Sequence, residues 1–422
     1  MRQKVKYGLL GIVALCSLGV VAYWPDIRNV MELRDYLAIY EPDSIDQNFR
    51  SLYAQSPSVR IPRQGDVAQL AEHPLPDALP ETFTVDGEAL NLRQFLGDMH
   101  TTGLAILLDG RLVHEEYHRG NSQQSIVIQM SVSKSMASFL IGVAIDEGFI
   151  KSVDDLVTDY APTLINTAYD GVTIKNVLEM SSGVKWAEDL RRLDSELIQS
   201  ILAFRTGSLD EFTASVEREF EPGTHNRYST IDTHALGMVL RGATERPYEQ
   251  YFAEKLWARL GAEGDAHFLV DATGQPVVYG GANIVLRDML RFGQLYLDGG
   301  RNLNGEQLVS ENWIKTSTQP DVPRLMPMVD NPESGSAFGY KYQWWVPLEP
   351  DGDDYSAIGI YGQFIYVNPK RRVVIAKSGT YLDYPIDGGI KNHLTLAAFQ
   401  SIARHLSSKQ LSAENGVAQN SP

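Results

Sequence analysis

Two predicted β-hairpins lie near opposite ends of the chain and constrain its fold class. Alternating apolar runs flank Asp109-Gly110, a dipeptide that favours the tight turn between paired strands. A second pair of runs surrounds Asn368-Pro369, and the pattern between the two hairpins is mainly helical. The order of these elements predicts an α+β fold, in which an antiparallel sheet flanked by helices carries an inserted helical domain. A cleft is expected between the sheet and the insertion.

The composition is that of a globular protein and argues against nucleic-acid binding. The chain has 422 residues, of which 43% are hydrophobic and 21% charged, so it has room for one large domain or two smaller ones. Its formal net charge is −16, whereas nucleic-acid binding needs a concentrated basic surface.

An uninterrupted apolar run extends from Tyr7 to Trp24, behind the positive charges of Arg2, Lys4 and Lys6. As a helix it would span about 27 Å, which is enough for the hydrocarbon core of a bilayer. The basic flank should hold residues 1–6 in the cytoplasm. Residues 7–24 are therefore predicted to anchor the chain in the bacterial inner membrane, with the rest of the chain in the periplasm.

The same segment also fits a cleaved signal peptide, because Val20-Val21-Ala22 offers a site of small residues. Both interpretations export the remainder of the chain. The only cysteine, Cys16, lies inside the segment, so the exported part has neither a disulfide nor a thiol nucleophile.

The exported part divides into three predicted regions. Residues 25–80 are polar and dotted with proline, which favours a connector with one or two short helices. Residues 81–406 form the folded domain, with the helical insertion at about 155–270. Residues 407–422 are predicted to be a disordered tail.

The segment HEEYH at His114–His118 matches a zinc-protease motif that works only on a helix. Here it follows the Asp109-Gly110 turn and is predicted to be a strand. In a strand the two imidazoles would lie roughly 13 Å apart, too far for one zinc ion. No metal site is predicted.

Two kinds of serine-hydrolase motif bear on the chemistry of this chain. The chain contains no G-x-S-x-G, which removes the main sequence support for a nucleophile elbow. S-x-x-K occurs at Ser182–Lys185, where a glycine indicates a helix end, and at Ser131–Lys134, which opens a helix.

On a helix Lys134 lies on the same face as Ser131, and that face is otherwise mostly apolar. Burial would favour the neutral amine and make it a usable base for the Ser131 hydroxyl. Equally, Ser131 could be a helix N-cap while Lys134 extends to solvent. The helix alone does not separate the two interpretations.

The chain resembles the serine β-lactamase and penicillin-binding protein superfamily, and most of all its 6-aminohexanoate-dimer hydrolase and carboxylesterase branch. The resemblance covers roughly residues 40–406. It rests on the order and spacing of SVSKSMASFLIGVAIDEGFI, VTIKNVLEMSSGVKWAED and EPGTHNRYSTIDTHALGMVL, with support from YKYQWWV and AIGIYGQFIYVNP. It implies a β-lactamase/transpeptidase-like fold.

The resemblance also implies roles for individual residues. Ser131 would be the acyl-accepting nucleophile and Lys134 its base. Tyr228, which matches the first residue of the Y-x-N motif, would pass a proton to the leaving group. The backbone N–H groups of Ser131 and Ile360 would form the oxyanion hole.

Two departures from the family pattern affect the substrate. Thr230 replaces the asparagine of Y-x-N, and Ala357-Ile358-Gly359 lacks the lysine of K-T-G. That lysine helps penicillin-recognising members to hold the β-lactam carboxylate, so its absence favours amides or esters bound mainly by apolar contacts. The residues expected to contact such a substrate are Trp186, Thr230, Trp345 and Tyr361, with Trp344 as a further candidate.

The sequence thus predicts an exported serine hydrolase of small-molecule amides or esters that needs no metal or organic cofactor. One alternative is a β-lactamase or D-amino-acid peptidase of the same superfamily. The other is a non-catalytic binding protein on a disused hydrolase scaffold, although a disused site has no reason to bury a lysine.

Overall fold

The computed structural model describes residues 28–419, with side chains through residue 409. The predicted membrane segment at 7–24 lies outside these residues. In chain order, the strands are β1 (Ser58–Ile61), β2 (Ala71–Glu72), β3 (Thr82–Val85), β4 (Glu88–Asn91), β5 (Thr101–Leu108), β6 (Arg111–Tyr117), β7 (Val127–Ile128), β8 (Ala266–Leu269), β9 (Ala282–Ile284), β10 (Gly339–Lys341), β11 (Trp344–Val346), β12 (Tyr355–Gly359), β13 (Gln363–Asn368) and β14 (Val373–Gly379).

The α-helices connect and flank these strands. They are α1 (28–37), α2 (Ile45–Gln55), α3 (Leu92–Asp98), α4 (Val132–Asp146), α5 (Val157–Tyr160), α6 (Ile174–Leu178), α7 (Glu196–Thr206), α8 (Leu209–Ser215), α9 (Thr230–Thr244), α10 (Tyr248–Phe252), α11 (Ala258–Leu260), α12 (Leu286–Leu297), α13 (Glu311–Thr318) and α14 (Tyr384–Gln419). A π-helical turn at Ala253–Trp257 joins α10 to α11. Within residues 28–419, no helix is both long and apolar enough to cross a bilayer.

The two predicted hairpins meet in one sheet. Within the described chain, eight strands pair in the order β10-β11-β12-β13-β14-β5-β6-β2. Asp109 and Gly110, with φ of 49° and 75°, make the turn from β5 to β6, as predicted. β13 and β14 form the second hairpin, and β14 pairs antiparallel with β5. The two predicted hairpins are therefore neighbours in this sheet.

Alternation along these strands separates two cores. Leu104, Ile106 and Phe364 face the layer that contains α3 and α14. Ala105 and Ile365 face the opposite way, into the larger core that includes α4, α9 and α12. Helices thus cover both faces, and the predicted α+β fold with a helical insertion is confirmed.

Two predicted regions differ from the structure. Residues 25–80, expected to be a connector with one or two short helices, contain α1 and α2 but also β1, which pairs with β8 in a second sheet of order β1-β8-β9-β7. β2 forms the edge of the main sheet, so this stretch is part of the folded domain. Residues 407–422, expected to be a disordered tail, continue α14 as far as Gln419.

A buried glutamine joins the sheet to the helical insertion. Gln343 lies in the two-residue turn between β10 and β11 and is 2% exposed. Its backbone carbonyl accepts a hydrogen bond from Ser135 Oγ at 2.7 Å, and its Oε1 accepts one from Thr233 Oγ1 at 2.8 Å. Its Nε2 donates to the carbonyl of Leu178 at 3.0 Å. The side chain and the backbone carbonyl of Gln343 therefore connect α4, α6 and α9.

Candidate active site

The start of α4 is held in an unusual backbone conformation. Met130 has φ of 49°, a left-handed conformation that β-branched and bulky side chains rarely adopt. Gly359, at the end of β12, packs so closely that a Cβ there would lie 2.5 Å from the carbonyl oxygen of Gln129. The chain therefore turns sharply at Met130, and Ser131 is the N-cap residue of α4, facing a cavity.

Lys134 lies beside Ser131, as the helical spacing predicted. Its Nζ is 2.8 Å from Ser131 Oγ and 2.9 Å from the carbonyl oxygen of Tyr279. The residue is 2% exposed. Burial lowers the pKa of Lys134 to about 7, although the charge of Glu188 acts in the opposite direction. A large fraction of this amine is thus neutral at neutral pH and able to accept a proton.

The neighbouring serines have structural roles instead. Ser133 Oγ donates to the carbonyl of Met130 at 2.7 Å and accepts from the backbone N–H of Ala282 at 3.2 Å. Ser135 is the residue bonded to Gln343. Of the hydroxyls on the first turn of α4, that of Ser131 is the one placed to react.

Tyr228 also lies beside this amine. Its ring centroid is 5.1 Å from Lys134 Nζ, and Tyr228, Lys134 and Ser131 all line the same cavity. The ring stacks on Trp345 with centroids 5.1 Å apart. Burial raises the pKa of Tyr228 well above its ordinary value, so the hydroxyl stays protonated at neutral pH. Tyr228 can therefore give a proton to a leaving group that forms at Ser131.

Ile360 follows β12 at the cavity wall. Within the described chain, neither its backbone N–H nor that of Ser131 donates to another protein group. Both residues line the cavity, and the N–H of Ser131 belongs to the N-terminus of α4. Free N–H groups at a helix start can stabilise developing negative charge.

A carboxylate that sequence reasoning missed completes the site. Glu188 lines the cavity and accepts hydrogen bonds from Trp186 Nε1 and from Thr230 Oγ1 and N, the last at 3.3 Å. Its charge raises the pKa of both Lys134 and Tyr228. The signal that could have revealed it is Thr230 itself, whose hydroxyl occupies the place of the family's asparagine and holds this side chain.

The cavity has a volume of about 530 Å³ and is lined largely by aromatic and aliphatic side chains. Two of the predicted substrate-binding residues, Thr230 and Trp345, line it. Trp186 and Tyr361 do not, since Trp186 lies behind Glu188 and Tyr361 lies behind Tyr40. Trp344 is fully buried in the larger core.

A second buried lysine lies below the turn that carries Ile360. Lys377 on β14 is fully buried, and its Nζ donates to the carbonyl of Gly362 at 3.2 Å. Burial alone lowers the pKa of Lys377 to about 7. Its amine therefore supports the turn between β12 and β13.

The competing motifs are placed as the sequence predicted. Ser182 lies in a loop, and Lys185 is exposed and paired with Glu217. His114 belongs to strand β6, and Glu116 lies 3.2 Å from its Nε2. No group of three or more His, Cys, Asp or Glu side chains in the described part of the chain is arranged to hold a metal ion.

A family model described as Beta-lactamase matches residues 90–386. The chain belongs to the β-lactamase family. Among curated proteins, this family member is 29% identical to the 6-aminohexanoate-dimer hydrolase of Paenarthrobacter ureafaciens over 301 residues, which are 69% of this chain and 76% of that protein.

Solved structures show the same fold for this β-lactamase-family chain. One is a Bacillus anthracis protein provisionally assigned as a 6-aminohexanoate-dimer hydrolase, with a TM-score of 0.76, 21% identity, and coverage of 88% of this chain and 96% of that one. Another is a family VIII carboxylesterase, with a TM-score of 0.53, 19% identity, and coverage of 74% and 96%. The chain is thus a hydrolase of the β-lactamase superfamily, and these solved structures share its fold.

Proposed function

We propose that the protein hydrolyses amides or esters of small molecules through an acyl-enzyme on Ser131. The observation that carries the proposal is the 2.8 Å separation between Ser131 Oγ and the buried amine of Lys134. Neutral Lys134 takes the hydroxyl proton while Oγ attacks the substrate carbonyl carbon. The N–H groups of Ser131 and Ile360 stabilise the oxyanion that forms.

The remaining steps follow from the same groups. When the carbonyl re-forms, the bond to the leaving group breaks, and Tyr228 gives its proton to the departing nitrogen or oxygen. The proton held by Lys134 then restores the Tyr228 phenol. Water attacks the acyl-enzyme with Lys134 again as base, which releases the acid and returns Ser131 to its hydroxyl form.

Charges in the cavity support a preference among substrates. The charged side chains that line it are Lys134, Glu188, Asp189 and Arg191. Asp189 and Arg191 pair with each other through two hydrogen bonds of 3.0 and 3.1 Å. Within the described chain, Glu188 has no cationic partner in a salt bridge. An ammonium group on the substrate would pair with it, and a dimer of 6-aminohexanoate carries such a group.

The same charge distribution disfavours β-lactams. Their carboxylate needs a cation near the reacting carbonyl, and Ala357-Ile358-Gly359 on β12 supplies none. The carboxylate of Glu188 would repel it further. The proposal therefore favours an amidase or esterase over a β-lactamase or D-amino-acid peptidase.

Active-site probes followed by intact mass distinguish these possibilities. We expect a fluorophosphonate to add one label to the wild type and none to Ser131→Ala, while a penicillin adds none to either. Labelling of Ser131 by both probes would favour the penicillin-recognising alternative. Labelling by neither would favour the non-catalytic scaffold.

We further propose that residues 7–24 attach the chain to the bacterial inner membrane, with the catalytic domain in the periplasm. The basic flank of Arg2, Lys4 and Lys6 and the length of the apolar run support this. The full chain should remain in washed membranes and be digested by protease added to spheroplasts, whereas a chain that begins at residue 25 should not sediment. Release of the full-length protein by an alkaline wash would contradict anchoring.

A further inference from the structure

One wall of the cavity comes from outside the segment that matches the family model. That segment covers residues 90–386, whereas Tyr36 and Tyr40 both line the cavity. We call residues 28–40, which contain α1 and the turn after it, the N-terminal strap. The strap lies in the stretch that was predicted to be a connector.

Specific contacts hold the strap against the domain. Glu32 is 2.9 Å from the guanidinium of Arg205 on α7, in a salt bridge with both side chains less than a third exposed. Asn48 on α2 donates to the carbonyl of Ile39 at 2.9 Å. These contacts fix both ends of the strap, so its tyrosines lie at a defined place on the wall.

The two tyrosines present an apolar surface. Their hydroxyls are hydrogen-bonded to each other at 2.7 Å, and their rings pack edge to face with centroids 5.5 Å apart. Tyr36 also packs edge-on against Phe204, another cavity residue, at 6.5 Å. Burial raises the pKa of both phenols, so neither carries a charge at neutral pH.

The same wall extends to the residues around Ser131. The ring of Tyr40 stacks on Tyr361 with centroids 4.7 Å apart, and Tyr361 directly follows Ile360. Met130, which precedes the nucleophile, belongs to the same apolar cluster as Tyr361 and Phe204, and Tyr36 and Tyr40 pack against that cluster. A substrate bound at Ser131 therefore has an aromatic surface beside its reacting carbonyl.

We infer that Tyr36 and Tyr40 form a specificity-determining subsite that binds an apolar chain or ring of the substrate next to the scissile bond. This inference rests on the proposed function, because it requires that the substrate reacts at Ser131. Glu32 acts as a positioning residue, through the strap, and does not touch the substrate.

Chain-length series of esters test the subsite. Two series are used with the full chain, p-nitrophenyl esters from acetate to decanoate and alkyl acetates of increasing alcohol length. In Tyr36→Ala and Tyr40→Ala, KM for the longest substrates of at least one series should rise about tenfold or more, because several methylenes lose their apolar contact. KM for p-nitrophenyl acetate should rise much less, because its short acyl group makes few contacts with the subsite. Tyr40→Phe, which keeps the ring but loses the hydrogen bond with Tyr36, should raise KM for the longest substrates less than Tyr40→Ala does.

A matched pair of surface variants separates the strap's placement from general stability. Glu32→Gln removes the salt bridge with Arg205 and should raise KM for long substrates in the same direction as the tyrosine variants. Arg34→Gln changes an exposed pair with Asp35 on the same helix and should leave the chain-length profile unchanged.

Equal losses of activity on the acetate and the decanoate in both alanine variants would overturn the subsite. So would an unchanged dependence of KM on chain length in both ester series.

Failure of the proposed function would give a different result. It would appear as wild-type hydrolysis that survives in Ser131→Ala, or as no hydrolysis of any ester by the wild type.

Discussion

The side-chain nitrogen of Lys134 lies 2.8 Å from the hydroxyl oxygen of Ser131, and 2.9 Å from a backbone carbonyl that can only accept a hydrogen bond. A neutral amine satisfies both neighbours, since it donates one N–H to the carbonyl of Tyr279 and directs its lone pair to the serine. An ammonium would have to donate to both oxygens and could not accept the serine proton. The reactive state of the site is therefore the deprotonated one.

Replacement of Ser131 should abolish catalysis. Ser131→Ala should reduce hydrolysis of short p-nitrophenyl esters to background, whereas Ser182→Ala should keep it nearly intact, because Ser182 lies in a loop away from Lys134. Initial rates at saturating ester measure both. Ser133→Ala should stay active but melt at lower temperature, since it loses hydrogen bonds to Met130 and Ala282. An inactive Ser133→Ala beside an active Ser131→Ala would move the nucleophile by two positions.

The rate of acylation should rise with pH. The pKa of Lys134 is lowered to about 7, and the base works only above that value, so the single-turnover rate should increase from pH 5 to 8 with an apparent pKa near 7. The midpoint belongs to the coupled site and not to the lysine alone. Lys134→Arg should be almost inactive at every pH in this range, because guanidinium stays protonated. Full activity of Lys134→Arg would exclude this mechanism.

Removal of the Tyr228 hydroxyl should slow acylation without loss of the fold. In Tyr228→Phe the ring still stacks on Trp345, but no proton reaches the leaving group, so we expect a decrease of roughly 10²–10⁴-fold. The decrease should be greater for amides than for nitrophenyl esters, because an amine leaves poorly without a proton. Stopped-flow measurements on both substrate types, with a melting curve as control, decide this. An equal loss on both types would contradict a proton-donor role.

Neutralisation of Glu188 should shift the pH profile to lower pH. The charge of Glu188 raises the pKa of Lys134, so Glu188→Gln should lower that pKa and increase the rate at pH 6 relative to the plateau. A neutral ester should be used, so that substrate charge plays no part. Asp189→Asn serves as the control, since Asp189 is paired with Arg191. An unchanged profile in Glu188→Gln would show that its charge does not act on Lys134.

Burial of Lys377 should make folding stability depend on pH. The pKa of Lys377 is lowered to about 7 in the folded chain, against about 10.4 in an unfolded one, so between these values the unfolded chain binds more protons. Its contribution to the unfolding free energy therefore becomes more favourable as pH rises from 7 to 9, by on the order of 1 kcal/mol per pH unit. In urea titrations at pH 7, 8 and 9, the unfolding free energy of Lys377→Met should fall relative to that of the wild type by this amount per pH unit.

The exposed Lys370→Met is the matched control for that experiment. The difference in unfolding free energy between Lys370→Met and the wild type should not vary over the same pH range. If the corresponding difference for Lys377→Met is also constant, Lys377 does not titrate as its burial requires.

Local spacing explains which parts of the site could be predicted. Ser131 and Lys134 are three residues apart on one helix, so the sequence alone determines that they share a face. The hairpin at Asp109-Gly110 was predictable for the same reason, because the turn chemistry and the flanking alternation are adjacent in the chain. The apolar pattern of the helix left the burial of Lys134 open, because it also fitted a lysine that extends to solvent, and the structure shows the buried state.

Contacts between distant segments were not predictable from one sequence. Glu188 lies in a loop without periodicity, and it reaches the site because Thr230, on another element, donates to it. Tyr36 and Tyr40 precede the family segment, in a stretch whose prolines and polar residues resembled a connector. Trp186 and Tyr361 were expected at the cavity wall and lie one layer behind it, since aromatic composition does not specify which ring faces inward.

The hydrogen bonds of Gln343 have a consequence for redesign of this protein. That one residue holds together α4, which carries Ser131 and Lys134, and α9, which follows Tyr228. The strap and the loop around Glu188 lie outside its contacts. Libraries confined to Tyr36, Tyr40 and residues 189–191 can therefore vary the cavity wall while the spacing of Ser131, Lys134 and Tyr228 and the charge of Glu188 are preserved.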